Sequence, residues 1–144
     1  MSAGGEPVLG LEIPAVEEYL TLRTAAGLSA MSSEGAAIGL PASWCSMCVR
    51  TGTGLVGMGR VVGDGGLFLF VVDIAVAPAW QRRGLGRRIM QALMEQVHAR
   101  AQPRTMVGLI ADGTAHRLYE QFGFKLTAPA AQGMLLRIQK GEHA

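Results

Sequence analysis

One segment constrains the fold of this chain more than any other: Leu67 to Val76 is a continuous apolar run broken only by Asp73. Side chains alternate between the two sides of a sheet, so a strand this apolar has to be covered on both faces. Helices above and below a mixed sheet satisfy that demand, which predicts an α/β (α+β) domain. At 144 residues the chain is long enough to bury a core without metal or disulfide staples, and we expect one domain over 1–144. Hydrophobic residues make up 49% and charged residues 17%, which excludes an intrinsically disordered chain. Residues 1–12 and 140–144 are expected to be poorly ordered.

The flanking elements follow from punctuation and periodicity. Pro14 to Arg23 opens with proline and acidic residues and reads as a helix ending near Gly27. Ser32-Ser33-Glu34 offers an N-cap to a short second helix that Pro41 closes, and both helices are expected to precede the first strand. Trp44–Arg50 and Leu55–Val62 read as strands joined by Thr51-Gly52-Thr53-Gly54, so that with Leu67–Val76 they form an antiparallel meander. Leu85, Ile89, Leu93 and Val97 recur every fourth residue and mark the clearest helix, which Pro103 stops. Met106–Ala111 reads as a short strand, Ala115–Gln121 as a helix ended by Gly123, and Phe124–Leu126 and Met134–Ile138 as strands completing the sheet.

Several functional classes drop out early. No stretch approaches the roughly 20 apolar residues that a bilayer span needs, and the N-terminus lacks a basic flank followed by an apolar segment, so a cytoplasmic protein without membrane contact is expected. Cys45 and Cys48 fall three apart in a strand, on opposite faces, which suits neither a disulfide nor a metal. The net charge of +2 is too small to argue for nucleic acid, yet Arg82, Arg83, Arg87 and Arg88 concentrate positive charge where a phosphorylated ligand would bind.

That cluster surrounds Gln81-Arg82-Arg83-Gly84-Leu85-Gly86, directly before the long helix. Glycines at a helix start uncover backbone N–H groups, and the helix dipole favours an anion there. An NTPase phosphate loop requires Gly, four residues, then Gly-Lys-Ser/Thr, which the chain lacks. A dinucleotide fingerprint requires a third glycine where Ile89 stands and a strand running almost directly into the loop, whereas Ala77 to Arg83 intervenes. The remaining spacing, Gln or Arg, two residues, Gly, any residue, then Gly or Ala, fits at every position.

With Asp73-Ile74-Ala75-Val76-Ala77-Pro78 leading into that loop, and Ala115-His116-Arg117-Leu118-Tyr119-Glu120-Gln121-Phe122-Gly123-Phe124 following one strand later, the chain resembles the GNAT superfamily of N-acetyltransferases. The resemblance implies a mostly antiparallel sheet with two N-terminal helices, a splayed central strand pair and two further helices. It implies acetyl-CoA as cofactor, with pantetheine paired to the backbone of Ile74, Ala75 and Val76 in a gap beside the strand carrying Leu109 and Ile110. Amides near Val76 would face the thioester oxygen. The diphosphate would lie on amides of Arg83, Gly84, Leu85, Gly86 and Arg87, with Gln81, Arg82 and Arg88 around it. Asp112 and Ala115 fall within the cofactor half; Asp112 stands where the family often has asparagine and also reads as an N-cap.

Tyr119 aligns with the tyrosine that protonates the leaving thiolate in many members. Asp73 is a carboxylate inside an apolar strand and needs a partner or a raised pKa; it is either the general base or a group that orients a neighbouring strand or loop. His116, in the first turn of the helix carrying Tyr119, either lines the site or faces solvent, and the solvent-facing reading is preferred. Tyr19, Leu22, Trp44, Cys45, Phe68 and Phe70 are candidates for the acceptor walls and equally for the core. The implied reaction moves acetyl to a primary amine of a small molecule, with protein acetylation and a non-catalytic acyl-CoA-binding module as rivals. The expected partners are that amine and, through apolar C-terminal strands and surplus methionines, a second copy in a homodimer.

Overall fold

The computed structural model describes residues 5–140. It contains β1 (Val8–Leu11), α1 (Val16–Ala25), α2 (Ser33–Gly39), β2 (Cys45–Thr51), β3 (Gly54–Gly63), β4 (Phe68–Val76), α3 (Leu85–Arg100), β5 (Met106–Gly108) and α4 (His116–Glu120). The chain forms two compact units, with the boundary between Leu109 and Ile110.

In the first unit the five strands lie in the order β1-β2-β3-β4-β5. The first four are antiparallel neighbours and β5 joins β4 in parallel, which makes the predicted mixed, mostly antiparallel sheet. The parallel ladder is short: it runs from Phe68↔Met106 to Phe70↔Gly108. From Val71 to Val76, β4 has no ladder partner on that edge among the described residues. This is the splay that the resemblance implied.

Residue alternation assigns the two faces. Met58 and Ala75 pack with Tyr19 and Leu22 of α1 and with Ala36 and Leu40 of the α2 region. Gly57 and Gly59 lie on the opposite face beneath α3, which buries Leu85, Ile89, Met90, Leu93, Met94 and Val97. Each fully buried side chain of that stripe contributes about 1.5–3 kcal/mol. The helix comes close because Gly59 has no side chain: a Cβ there would lie 2.6 Å from Ile74 Cδ1, 2.7 Å from Ile89 Cγ2 and 3.0 Å from Leu93 Cδ1. Gly59→Ala is therefore expected to destabilise the protein by about 1–3 kcal/mol through overpacking. Urea denaturation would check it, and an unchanged midpoint would show that α3 can shift to accommodate the methyl.

Two expectations need correction. β1 precedes the helices, pairing with β2 from Val8↔Arg50 to Leu11↔Met47, so residues 8–11 are ordered. Of the two end-disorder expectations, for 1–12 and 140–144, residues 1–4 and 141–144 lie outside the described residues. In the second unit, Phe124–Leu126 and Met134–Ile138 do not form strands; among residues 110–140 the one regular element is α4. Their apolar character is real, with Met134, Leu135 and Leu136 each more than 80% exposed, but a strand needs a hydrogen-bonded neighbour and neither segment enters a ladder. Cys45 and Cys48 are free cysteines, and both are buried. Burial pushes the Cys48 thiol up to about 12, which leaves it un-ionised at neutral pH.

Candidate active site

β4 ends in the feature that organises the site. Met58 pairs with Ala75 and Arg60 with Val72, so Asp73 and Ile74 together face the single residue Gly59. This is a β-bulge. Asp73 takes the left-handed conformation at φ 60°, which aspartate tolerates better than most residues. Ile74 points to α3, while the Asp73 carboxylate is on the side of α1.

There the carboxylate is fully engaged. Oδ1 accepts from Arg23 Nη1, and Oδ2 accepts from Tyr19 Oη at 2.8 Å and Arg60 Nε at 2.7 Å. The Asp73 side chain is 4% exposed, with those of Arg23 and Arg60 at 8% and 12%. Desolvation first, and the Asp73 charge second, raise the Tyr19 phenol above its ordinary value, so it remains a neutral donor. Arg23 also donates from Nε and Nη2 to the Ser29 carbonyl, and Arg60 donates from Nη1 to Ser43 Oγ at 3.0 Å. Both carboxylate oxygens of Asp73 are thus held by donors from α1 and β3. Of the two readings of Asp73, the geometry favours the orienting one over the general base.

The pairing past the bulge fixes the direction of one amide. The Ala77 N–H donates to the Val56 carbonyl at 2.8 Å, so the Val76–Gly57 pair falls at the intervening position of the antiparallel ladder. Backbone groups of such a residue point away from the neighbouring strand. The Val76 N–H and C=O therefore face the edge that β5 leaves unpaired, and the carbonyl accepts from Gln81 Nε2 at 3.0 Å. Gln81 thus braces the loop against the strand.

The glycine loop follows a short 3-10 turn at Pro78–Trp80. Left-handed residues Arg82 (φ 64°) and Gly84 (φ 79°) flank Arg83, a backbone form that gathers N–H groups into an anion-binding concavity. Gly84 is the N-cap of α3, and no side chain caps that helix. A Cβ on Gly86 would meet nothing within 4 Å, so a ligand could lie against this backbone. Arg82, Arg83, Arg87 and Arg88 are exposed around it. Uncovered amides, a helix dipole and this cationic rim fit a diphosphate.

In the second unit, Tyr119 lies on α4, half-buried, with its ring edge-on to Phe124 at 6.5 Å. Burial first, and the Asp112 carboxylate second, raise its phenol above the ordinary value of 10.0. Asp112 does not cap the helix with its side chain; instead its backbone carbonyl accepts from the Ala115 N–H at 2.9 Å, and Ala115 becomes the N-cap. The helix begins too late for Asp112 to reach the N-cap position. His116 is partly buried rather than fully solvent-facing, its Nδ1 3.4 Å from the Gly113 carbonyl. Sequence reasoning missed Arg23 and Arg60 entirely; the signal was the buried acid itself, which demanded cationic partners.

A mixed sheet that opens beside β4, with a glycine-rich helix start beyond it, places the chain among the acetyltransferase folds. The chain belongs to the GNAT acetyltransferases: the model of the acetyltransferase (GNAT) domain matches residues 43–126. It is 37% identical to a meticillin-resistant Staphylococcus aureus protein of unknown function taken to be an acetyltransferase, over 92% of this chain and 100% of that one, with a TM-score of 0.88. A GNAT-family acetyltransferase from Streptococcus pneumoniae is 25% identical over 94% of this chain and 99% of its own, with a TM-score of 0.72. The ribosomal-protein-S18-alanine N-acetyltransferase from Escherichia coli shares the fold at 19% identity, over 83% and 78% of the two chains, with a TM-score of 0.68. Sequence comparison with curated proteins gives no match. Among the described residues no helix is long and apolar enough to cross a membrane, and no cluster of side chains could hold a metal.

Proposed function

We propose that the protein is an acetyl-CoA-dependent N-acetyltransferase that moves acetyl to a primary amine of a small molecule by direct attack in a ternary complex. When bound, acetyl-CoA supplies an activated acyl carbon and a thiolate leaving group. The residues of this chain would hold and polarise it. Amides from Arg83 to Arg87 carry the diphosphate, with Gln81, Arg82 and Arg88 around them, and the backbone of Ile74, Ala75 and Val76 receives the pantetheine arm. The Val76 N–H on the open edge of β4 is the candidate donor to the thioester oxygen as charge grows there, and it is the observation that carries this reading. Tyr119 would return a proton to the thiolate. Asp112 and Ala115 would border the cofactor through backbone rather than a side-chain cap.

The choice of a small amine rests on the α1–α2 connection. Residues 26–32 form a short loop, and Arg23 fixes it by donating to the Ser29 carbonyl at 2.9 and 2.8 Å and to Ser29 Oγ at 3.1 Å. A loop tied to a buried ion pair suits a small guest better than a peptide, which needs a groove that yields. Four arginines at one helix start are too local for nucleic acid, and no such partner is proposed. The apolar surface of Met134, Leu135, Leu136 and Ile138 is the candidate face for a homodimer.

The test is amine-dependent release of CoA thiol across a panel of small primary amines, lysine peptides and free peptide N-termini. Turnover is expected with the small amines. Turnover confined to the peptides would replace this reading with protein acetylation, and tight CoA binding without any turnover would make the chain a binding module.

A further inference from the structure

We propose that the second unit of one copy docks on the open edge of β5 in a second copy, with Met134–Ile138 adding to that sheet as a strand. The second unit gives the first reason. It spans Ile110–Ala144, shorter than the roughly 40 residues below which a domain needs disulfides, metals or association. Both cysteines of the chain lie outside it, and among the described residues no side-chain cluster could hold a metal. Its large apolar side chains are uncovered, with Leu126, Met134, Leu135, Leu136 and Ile138 all exposed. Association with a further surface supplies what this unit lacks.

The first unit presents a surface of matching pattern. β5 is the last strand of the sheet, and among the described residues its ladder lies on one side only, so its outer edge offers N–H and C=O groups to a further strand. Apolar surface is open on both faces beside that edge. On the face of α3, Val107 lines a cavity of about 360 Å³ together with Met94, Val97, Ala101 and Pro103. Alternation turns Met106 to the opposite face, level with Phe68, and these two are 62% and 64% exposed. Phe70 is exposed on that face as well, its ring beside Gly108. A strand added here has to be apolar on both sides. Met134-Leu135-Leu136-Arg137-Ile138 meets that condition, because Met134, Leu136 and Ile138 fall on one face and Leu135 on the other.

The occupant is a second copy of this chain because each copy carries both halves of the contact, and a reciprocal exchange closes with two-fold symmetry. Its size is adequate. The four apolar side chains of one segment carry about 250–500 Å² of surface. Counted on both partners and in both copies this comes to on the order of 1,000–2,000 Å², the extent of a stable interface. The inference names the receiving surface for the homodimer proposed above and does not depend on acetyl transfer.

Sedimentation equilibrium of the full-length protein should give twice the mass of one chain. Met106→Glu and Leu136→Glu should each weaken the dimer about 100-fold or more, since each buries a carboxylate in the contact. Both side chains are exposed in the single chain, so thermal melts should show the variants folded. Ile38→Glu, at an exposed apolar position of α2, should leave the dimer intact. A bis-maleimide should link a Met106→Cys chain to a Leu136→Cys chain when the two are mixed, and should link neither chain to itself. The native Cys45 and Cys48 are buried and do not compete. A monomeric wild type would overturn the proposal. So would a dimer that Met106→Glu and Leu136→Glu leave unchanged, or a cross-link that forms only when both cysteines are placed in one chain. Neither readout uses cofactor or amine, so failure here leaves the acetyl-CoA reading standing, and failure of that reading leaves this contact standing.

Discussion

Asp73→Ala is expected to lower the stability of the protein by about 3–5 kcal/mol. The size follows from what the substitution leaves behind. Arg23 and Arg60 converge on one carboxylate, and all three side chains are nearly excluded from solvent. Removing the acid strands two cations in a site built to desolvate them, next to a Tyr19 hydroxyl that loses its acceptor. The same change removes the side chain that suits the left-handed residue of the bulge, so β4 loses its clamp on the side of α1. Urea denaturation of Asp73→Ala, Arg23→Leu and the double variant would separate the pair from the rest. The double variant should be less destabilised than the sum of the singles, because the interaction is lost only once. If Asp73→Ala instead kept wild-type stability and abolished acetyl transfer, the residue would return to the general-base role and the clamp would be wrong.

The same residue shows how far the sequence could be followed. An acid inside an apolar strand announces that it must be paired, because burial without a partner costs too much. It does not announce with whom: Arg23, Tyr19 and Arg60 lie 50, 54 and 13 residues away, on α1 and β3. Pairing at that separation is a property of the folded sheet. The bulge is equally hard to foresee, since aspartate tolerates a left-handed conformation without requiring one; it shows only in the register of two strands.

Elements whose signal is local were legible. The stripe of α3 repeats every fourth residue and packs as such, Ser32 caps α2 by accepting from the Gly35 N–H at 2.9 Å, and the apolar run from 67 onward becomes β4 with one residue of difference at its start. β1 was not legible, because four residues with mostly exposed side chains carry no alternation to detect. At the other end the error runs in the opposite direction. Met134 to Ile138 has the composition of a strand, but composition reports only what a side chain would tolerate, and pairing is what makes a strand. The glycine loop was readable for a different reason: its spacing specifies a backbone path. Gly84 does hold the left-handed conformation at the N-cap of α3 that such a path requires. Gln81, by contrast, spends its side-chain amide on the Val76 carbonyl, a brace within the protein that spacing alone does not reveal.

Tyr119→Phe should reduce kcat about 100-fold or more while changing the KM for acetyl-CoA little, the lower end of what a positioned acid contributes. A phenol can serve a thiolate because the two conjugate acids have comparable strength, and the environment of Tyr119 preserves the donor. Burial and the negative Asp112 both disfavour the phenolate, so the proton stays on through the neutral range and is lost only above the ordinary value of 10.0. Activity in the wild type should therefore show no loss from this group between pH 6 and about 9, and should fall at more alkaline pH as the acid ionises. The phenylalanine variant should lack that alkaline limb. Its fold should survive, because the ring contact with Phe124 depends on the ring and not on the hydroxyl. Circular dichroism melts alongside steady-state kinetics distinguish the two roles. A phenylalanine variant with wild-type kcat and an unaltered pH profile would reduce Tyr119 to a packing residue of α4, and the proton for the thiolate would then have to come from water.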